Sequence, residues 1–112
     1  MPAPRHDVDP ATASRLVDDG TATLLDVREH DEWAAGHAPG AVHIPLGELD
    51  PGAYTSEHIL VVVCRSGARS GRAATALAAA GLPVHNLAGG MTAWQRAGHS
   101  VICDDDTPGT VI

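Results

Sequence analysis

The sequence contains no phenylalanine and no lysine, and it has only one tyrosine and two tryptophans in 112 residues. Without phenylalanine the core must be built mainly from aliphatic side chains. The absence of lysine excludes Schiff-base chemistry on this chain. The two cysteines, Cys64 and Cys103, are too few for a disulfide scaffold and are not spaced as a CxxC motif. We therefore expect a protein of a reducing compartment.

Long apolar runs are also missing. No stretch approaches the roughly 18 apolar residues that a membrane-spanning helix needs, and no apolar region of a signal peptide follows the N-terminal residues 1–5. We expect a soluble, cytoplasmic protein with no membrane partner. The length suits one domain, predicted over residues 1–103. Residues 104–112 combine three aspartates with Pro108 and Gly109, which predicts an acidic, flexible C-terminal tail.

Charge is distributed unevenly along the chain. Seven arginines stand against 14 acidic residues, for a net charge of -7, and this balance argues against a nucleic-acid partner. Between residues 58 and 103, however, there is no aspartate or glutamate, and four of the seven arginines lie there. An acidic protein therefore carries one locally positive segment.

Apolar and turn-forming residues alternate in a way that predicts strands separated by helices. Strands are predicted over 21–27, 41–44, 59–63 and 84–87, and helices over 10–20, 29–35, 70–80 and 91–97. The stretch 59–63 is apolar at every position, which is typical of a parallel strand covered on both faces and marks the centre of the sheet. This order predicts an α/β domain with a mostly parallel sheet.

The loop after this central strand carries the residues with the clearest chemical potential. Cys64 follows the strand directly, and a helix is predicted to begin at Ser70. Main-chain N–H groups, the helix dipole, and the cations Arg65 and Arg69 all favour negative charge on the Cys64 sulfur. We predict a lowered thiol pKa. The alternative is that Cys64 is an inert core residue, but such a residue needs no neighbouring arginines and glycine.

Four ordered blocks of sequence carry a resemblance to a known family. They are Asp26-Val27-Arg28-Glu29 with Glu32-Trp33, Gly36-His37-Ala38-Pro39-Gly40-Ala41 with Ile44-Pro45, Cys64-Arg65-Ser66-Gly67-Ala68-Arg69-Ser70, and Leu87-Ala88-Gly89-Gly90-Met91 with Ala93-Trp94. Together they resemble the rhodanese-like (sulfurtransferase) domain family, over residues 6 to about 102. The resemblance implies an open, mostly parallel five-stranded sheet with helices on both faces.

The resemblance also implies a function and a set of site residues. Cys64 is expected to be the nucleophile that carries a sulfane sulfur as a persulfide. A small anionic donor such as thiosulfate would bind at the residues of the loop, namely Arg65, Ser66, Gly67, Ala68, Arg69 and Ser70. The sulfur would then pass to a thiophilic acceptor, either cyanide in an assay or a protein thiol in the cell. We expect no cofactor, and the scattered histidines predict no metal site.

Two other functions compete with this interpretation. The first is a sulfur-relay or partner-docking module with little thiosulfate turnover. The second is a cysteine-dependent phosphatase or arsenate reductase on the same fold, for which a Cys-x5-Arg loop is typical. Here Cys64 and Arg69 are spaced as Cys-x4-Arg, and no acid lies between Cys64 and Cys103 to protonate a leaving group.

Three further residues are candidates for a supporting role. Asp26 is expected at the same sheet edge as Cys64, where it could orient the loop or Arg28. Arg28 is predicted to pair with Glu32 across one helical turn. His37 lies in a turn rich in glycine and proline, so we expect it to pack there rather than to transfer protons.

Overall fold

The computed structural model describes residues 5–112, so residues 1–4 of the predicted domain 1–103 lie outside the described residues. The strands are β1 (Arg5–Val8), β2 (Ala22–Asp26), β3 (Val42–His43), β4 (Ile59–Val63) and β5 (Val84–Leu87). The α-helices are α1 (Pro10–Asp18), α2 (His30–Ala35), α3 (Ala68–Ala79) and α4 (Gly90–Arg96), and a short 3-10 helix covers Leu46–Glu48. Within the described residues, no helix has both the length and the apolar character needed to cross a membrane.

The five strands form one sheet in the order β1-β5-β4-β2-β3. All four strand pairings between residues 5 and 112 are parallel. This confirms the predicted α/β class with an open five-stranded sheet. It also confirms that the uniformly apolar strand Ile59–Val63 lies at the centre, between β5 and β2.

Alternate side chains of β4 enter two separate cores. Leu60 and Val62 belong to a buried cluster that includes Leu77 of α3. The intervening Val61 and Val63 belong to a second cluster with residues of α1 and α4, including Trp94. Because successive side chains of a strand point to opposite faces, helices cover both faces of the sheet, as predicted.

Strand β1 was not predicted from the sequence pattern. It consists of Arg5–Val8, and its sequence RHDV offers a single aliphatic residue. Within residues 5–112 it is an edge strand that pairs with β5 alone, from Arg5 against Val84 to Val8 against Leu87. Its hydrogen-bonding partner, distant in sequence, stabilises this strand more than its own composition does.

A buried ion pair fixes the end of β2. The side chains of Asp26 and Arg28 are both fully buried, and Arg28 Nη2 lies 2.8 Å from Asp26 Oδ2. Arg28 Nη2 also donates to the Gly36 carbonyl at 2.8 Å. The predicted pairing of Arg28 with Glu32 is wrong, because Arg28 precedes α2 and does not share its helical register. The structure contains the other predicted contact, in which Asp26 orients Arg28.

The C-terminal segment 104–112, for which the sequence pattern predicts mobility, lies against the domain. Ile102 and His37 exchange main-chain hydrogen bonds of 2.8 Å immediately before it. Asp104 then meets His37 Nε2 at 2.8 Å, and the Thr110 N–H donates to the Ala35 carbonyl at 2.9 Å. Main-chain atoms make most of these contacts. The three aspartates, the proline and the glycine of this segment therefore do not reveal them in the sequence.

We expect loss of one member of the Asp26–Arg28 pair to destabilise the domain strongly. Asp26→Leu leaves a buried guanidinium without its carboxylate, which should lower the free energy of unfolding by about 3–5 kcal/mol. Urea denaturation at neutral pH measures this change. The double variant Asp26→Leu with Arg28→Met removes both charges and should recover most of the loss. Equal stability of the single and double variants would contradict this account.

Candidate active site

The candidate site lies at the carboxyl ends of β2 and β4, which are neighbours in the sheet. From β2 the chain continues through α2 to β3 on one side, and from β4 it continues through α3 to β5 on the other. Adjacent strands whose connections leave in opposite directions open a crevice, and open α/β sheets bind ligands at such a point. The loop that begins at Cys64 follows β4 and helix α2 follows β2, so both start at this edge of the sheet.

Hydrogen-bond donors surround the Cys64 sulfur. Cys64 is only 1% exposed, and its Sγ lies 3.0 Å from the Gly67 nitrogen and 3.3 Å from the Ser70 hydroxyl oxygen. Gly67 adopts a φ of +115°, a conformation that side-chain-bearing residues rarely adopt, and it caps the N-terminus of α3. The left-handed turn thus aims an N–H group and a helix N-terminus at the sulfur.

These surroundings favour the thiolate form of Cys64. Burial raises the pKa of the Cys64 thiol, but hydrogen bonds from the Ser70 hydroxyl and from the N–H groups of Ser70, Gly67 and Ser66 outweigh it. The net result is a thiol pKa below its ordinary value. Since the thiolate is the nucleophilic form of cysteine, the site can supply a nucleophile without a separate general base.

The loop is braced from behind by the start of α4. The Met91 N–H donates to the Cys64 carbonyl at 2.8 Å, and the Thr92 N–H donates to the Arg65 carbonyl at 3.0 Å. Gly90 allows this approach, because a Cβ atom there would lie 2.5 Å from the Arg65 carbonyl oxygen. The Gly89-Gly90 turn therefore belongs to the site although it is far from Cys64 in sequence.

The two arginines of the loop have different surroundings. Arg69 forms a two-pronged ion pair with Glu32 of α2, with Nη1–Oε1 and Nη2–Oε2 distances of 2.6 and 2.8 Å. This contact holds the pKa of Glu32 at about 2 and raises the pKa of Arg69. Arg65 is exposed, and its Nε donates to the main-chain carbonyl of Ile112 at 3.0 Å. In the part of the chain that the structure describes, no aspartate or glutamate side chain pairs with Arg65.

Comparison with known proteins identifies the family. A family model described as "Rhodanese-like domain" matches residues 9–97. The chain belongs to the rhodanese-like domain family. A sulfurtransferase of Allochromatium vinosum is 35% identical over 97 residues, which is 83% of this chain and 90% of that protein. The HTH-type transcriptional regulator Rv0324 of Mycobacterium tuberculosis is 37% identical over 111 residues, which is 95% of this chain.

The chain spans 48% of the regulator's own length, so only part of that protein corresponds to it. Among solved structures, a rhodanese-related protein from Thermoplasma volcanium superposes with a TM-score of 0.81 at 27% identity. That comparison covers 88% of this chain and 99% of the other. The similarity therefore extends over nearly the whole of the rhodanese-like domain described above.

The structure brings some predicted residues to the sulfur and leaves others away from it. The Gly67 N–H and the Ser70 hydroxyl contact Cys64 Sγ, and the N–H groups of Ser66 and Ser70 help to lower the pKa of the Cys64 thiol. Ala68 is exposed at the first position of α3. A role of Ser66, Gly67, Ala68 and Ser70 in donor binding stays a prediction. The same is true of Arg65 and Arg69.

The three supporting candidates form no hydrogen bond to Cys64 among residues 5–112. Asp26 and Arg28 bind each other, and the Arg28 carbonyl lies 2.7 Å from His43 Nε2. His37 is 6% exposed and stacks on Trp33, with ring centroids 3.6 Å apart. This stacking is the packing in the turn that we expected for His37. Any influence of Asp26, Arg28 and His37 on the chemistry stays a prediction.

Sequence reasoning missed Asn86 on β5. Its Oδ1 lies 2.5 Å from the Ser70 hydroxyl oxygen, which in turn contacts Cys64 Sγ. Asn86 is 4% exposed and pairs in register with Val62 of the central strand. A buried amide inside a short strand needs a hydrogen-bond partner, and that requirement could have drawn attention to it.

We expect the Arg69–Glu32 pair to stabilise the domain in a pH-dependent manner. Glu32→Gln removes the charge but keeps an acceptor for the Glu29 N–H, and should lower the free energy of unfolding at pH 7 by about 1 kcal/mol. The Glu32 pKa is depressed on folding, from 4.5 to about 2. The wild-type advantage should therefore be complete above pH 4.5 and disappear as the pH falls toward 2. Urea denaturation of both proteins from about pH 2 to about pH 7, a range that includes both pKa values, measures this difference. A difference that does not change with pH would contradict the assignment.

Proposed function

We propose that this rhodanese-like domain is a sulfurtransferase in which Cys64 takes a sulfane sulfur from thiosulfate or a similar donor and passes it to a thiophilic acceptor. The observation that carries the proposal is the environment of the Cys64 sulfur, which Gly67 and Ser70 contact at 3.0 and 3.3 Å. Such an environment suits a sulfur that must carry negative charge both as a thiolate and as a persulfide.

Each step of the proposed reaction balances in atoms and charge. The Cys64 thiolate attacks the outer sulfur of thiosulfate, a new S–S bond forms, and the original S–S bond breaks to release sulfite with the electron pair. The enzyme then holds a persulfide anion on Cys64. Cyanide or an acceptor thiolate attacks the terminal sulfur, and the Cys64 thiolate is regenerated. No step needs a proton transfer when the thiol begins ionised.

The shape and charge of the site suit a donor that presents its sulfur at one end. Cys64 is nearly inaccessible, so the reacting atom has to enter between the N–H groups of the loop. The oxyanion end of the donor would remain outside, where Arg65 is exposed at the loop surface. A guanidinium that pairs with no aspartate or glutamate side chain is a suitable contact for that end.

A sulfur relay to a protein partner is a second candidate, favoured by one specific observation. Arg69, expected to attract an anionic donor, is already bound to the Glu32 carboxylate by two hydrogen bonds. Positive charge at the mouth is therefore smaller than the sequence indicates, which lowers the expected affinity for a free divalent anion. A donor or acceptor protein would bring additional contacts of its own.

The same ion pair argues against phosphatase or arsenate reductase activity. An arginine that binds a tetrahedral oxyanion has to direct its N–H groups at the substrate. Both terminal nitrogens of Arg69 are directed at Glu32 instead. The short Cys-x4-Arg spacing points the same way, because fewer main-chain N–H groups surround the substrate position.

Thiosulfate should add one sulfur atom to Cys64, which intact-protein and peptide mass spectrometry will detect. Cyanide should remove that sulfur as thiocyanate. Cys64→Ser should lose both reactions because it lacks the thiolate, and Cys103→Ser, the matched control, should retain both. Absence of the mass gain in the wild-type protein would exclude the thiosulfate reaction. Persulfide transfer to acceptor proteins that is faster than transfer to cyanide would favour the relay.

Arg65→Ala should weaken binding of thiosulfate while changing turnover little. Loss of one charge-assisted contact corresponds to about a tenfold higher KM. Arg72→Ala is the control, since Arg72 is also exposed, on α3, and its removal makes the same change in net charge. Steady-state kinetics with thiosulfate and cyanide separates the two parameters. Equal effects of the two substitutions would assign the loss to overall charge rather than to Arg65.

A further inference from the structure

The Ser70 hydroxyl has more acceptors than it can serve. Its oxygen lies 3.3 Å from Cys64 Sγ, 3.3 Å from the Gly67 carbonyl and 2.5 Å from Asn86 Oδ1. A serine hydroxyl carries one proton, so it donates to one of these atoms at a time. Ser70 is fully buried, and bulk water is therefore not at hand to replace a missing donor. The shortest of the three contacts is the one to Asn86.

The surroundings of Asn86 favour one orientation of its amide. With Oδ1 toward Ser70, the amide nitrogen lies 3.5 Å from the Gly67 carbonyl and can donate to it. The reversed amide would bring two oxygen acceptors together at that place. Asn86 thus faces Ser70 as an acceptor and competes with the Cys64 sulfur for the same proton. Its backbone is held in the ladder with β4, at Val62, two residues before Cys64.

We propose that Asn86 is a positioning residue. By accepting a hydrogen bond from the Ser70 hydroxyl, it controls how strongly that hydroxyl is hydrogen-bonded to the Cys64 sulfur. Its purpose rests on the proposed function, because a sulfur carrier needs a thiolate that is formed readily and yet remains nucleophilic. If the Ser70 hydroxyl donated its hydrogen bond only to Cys64 Sγ, it would stabilise the thiolate further and make the thiolate a weaker nucleophile. When the charge moves out to the terminal sulfur of a persulfide, the Ser70 hydroxyl still has Asn86 Oδ1 as an acceptor for its hydrogen bond.

Other charged groups around the sulfur stay constant in the variants that test this proposal. Arg69 is the cation whose charge interacts with Cys64, and it is itself paired with Glu32. Arg65 belongs to the loop and is exposed. On β5 itself the neighbouring residue His85 alternates to the other face of the strand, where its ring meets His6 of β1.

The test is the pH dependence of alkylation of Cys64 by iodoacetamide, followed on the Cys64 peptide by mass spectrometry. This measurement needs no sulfur donor, so its outcome is independent of whether thiosulfate is a substrate. Asn86→Leu removes the competing acceptor at similar size. We expect the Cys64 pKa to fall by about one unit, and the alkylation rate of the fully ionised thiolate to fall about threefold.

The same substitution in a Ser70→Ala background separates positioning from packing. Without the hydroxyl, Asn86→Leu should leave the Cys64 pKa unchanged relative to Ser70→Ala alone. Asn86→Ala serves in both backgrounds if the leucine variant does not fold, as judged by its urea transition. A shift of equal size in both backgrounds, an unchanged pKa, or a raised pKa in the Ser70 background would overturn the proposal.

Discussion

The parallel pairing of β4 with both β2 and β5 is the constraint on which the site depends. Because parallel strands end at the same edge, the residues after β2 and β4 and the last residues of β5 lie together. Cys64, Glu32 and Asn86 come from three distant parts of the sequence and meet at this edge. A register shift in either pairing would separate them, since one residue of slip turns every side chain to the other face.

Two of the arginines, Arg28 and Arg69, have structural roles here. Arg28 is buried against Asp26, and Arg69 joins the loop after β4 to α2 through Glu32. The Arg69–Glu32 pair and the hydrogen bond from Arg28 to the Gly36 carbonyl each connect separate segments at the same edge of the sheet, so they hold these segments in place. The positive charge that remains near the mouth is on exposed side chains, where salt screens it most. The chemistry at the sulfur depends more on oriented N–H groups than on net charge.

Features encoded in contiguous residues could be predicted from the sequence. Strands Ile59–Val63 and Val84–Leu87 have the predicted boundaries, and the loop after the first of them contains the candidate nucleophile. Strand β1 escaped prediction because its stability comes from pairing with a distant strand rather than from its composition. The partner of Arg69 escaped for a similar reason, since helical spacing describes neighbours within a helix and not contacts between a loop and a distant helix. Asn86 was missed because its partner, Ser70, becomes its neighbour only after folding.

The hydrogen bonds from Met91 and Thr92 to the carbonyls of Cys64 and Arg65 make the reactive loop continuous with α4 and the core beneath it. The loop is thus anchored through its main chain and does not act as a lid. The reactive groups lose their conformational entropy when the chain folds. Little further conformational entropy is therefore lost when a substrate binds. Selection among donors then rests on fit to a fixed shape, and substitutions inside α4 will alter chemistry through the backbone alone.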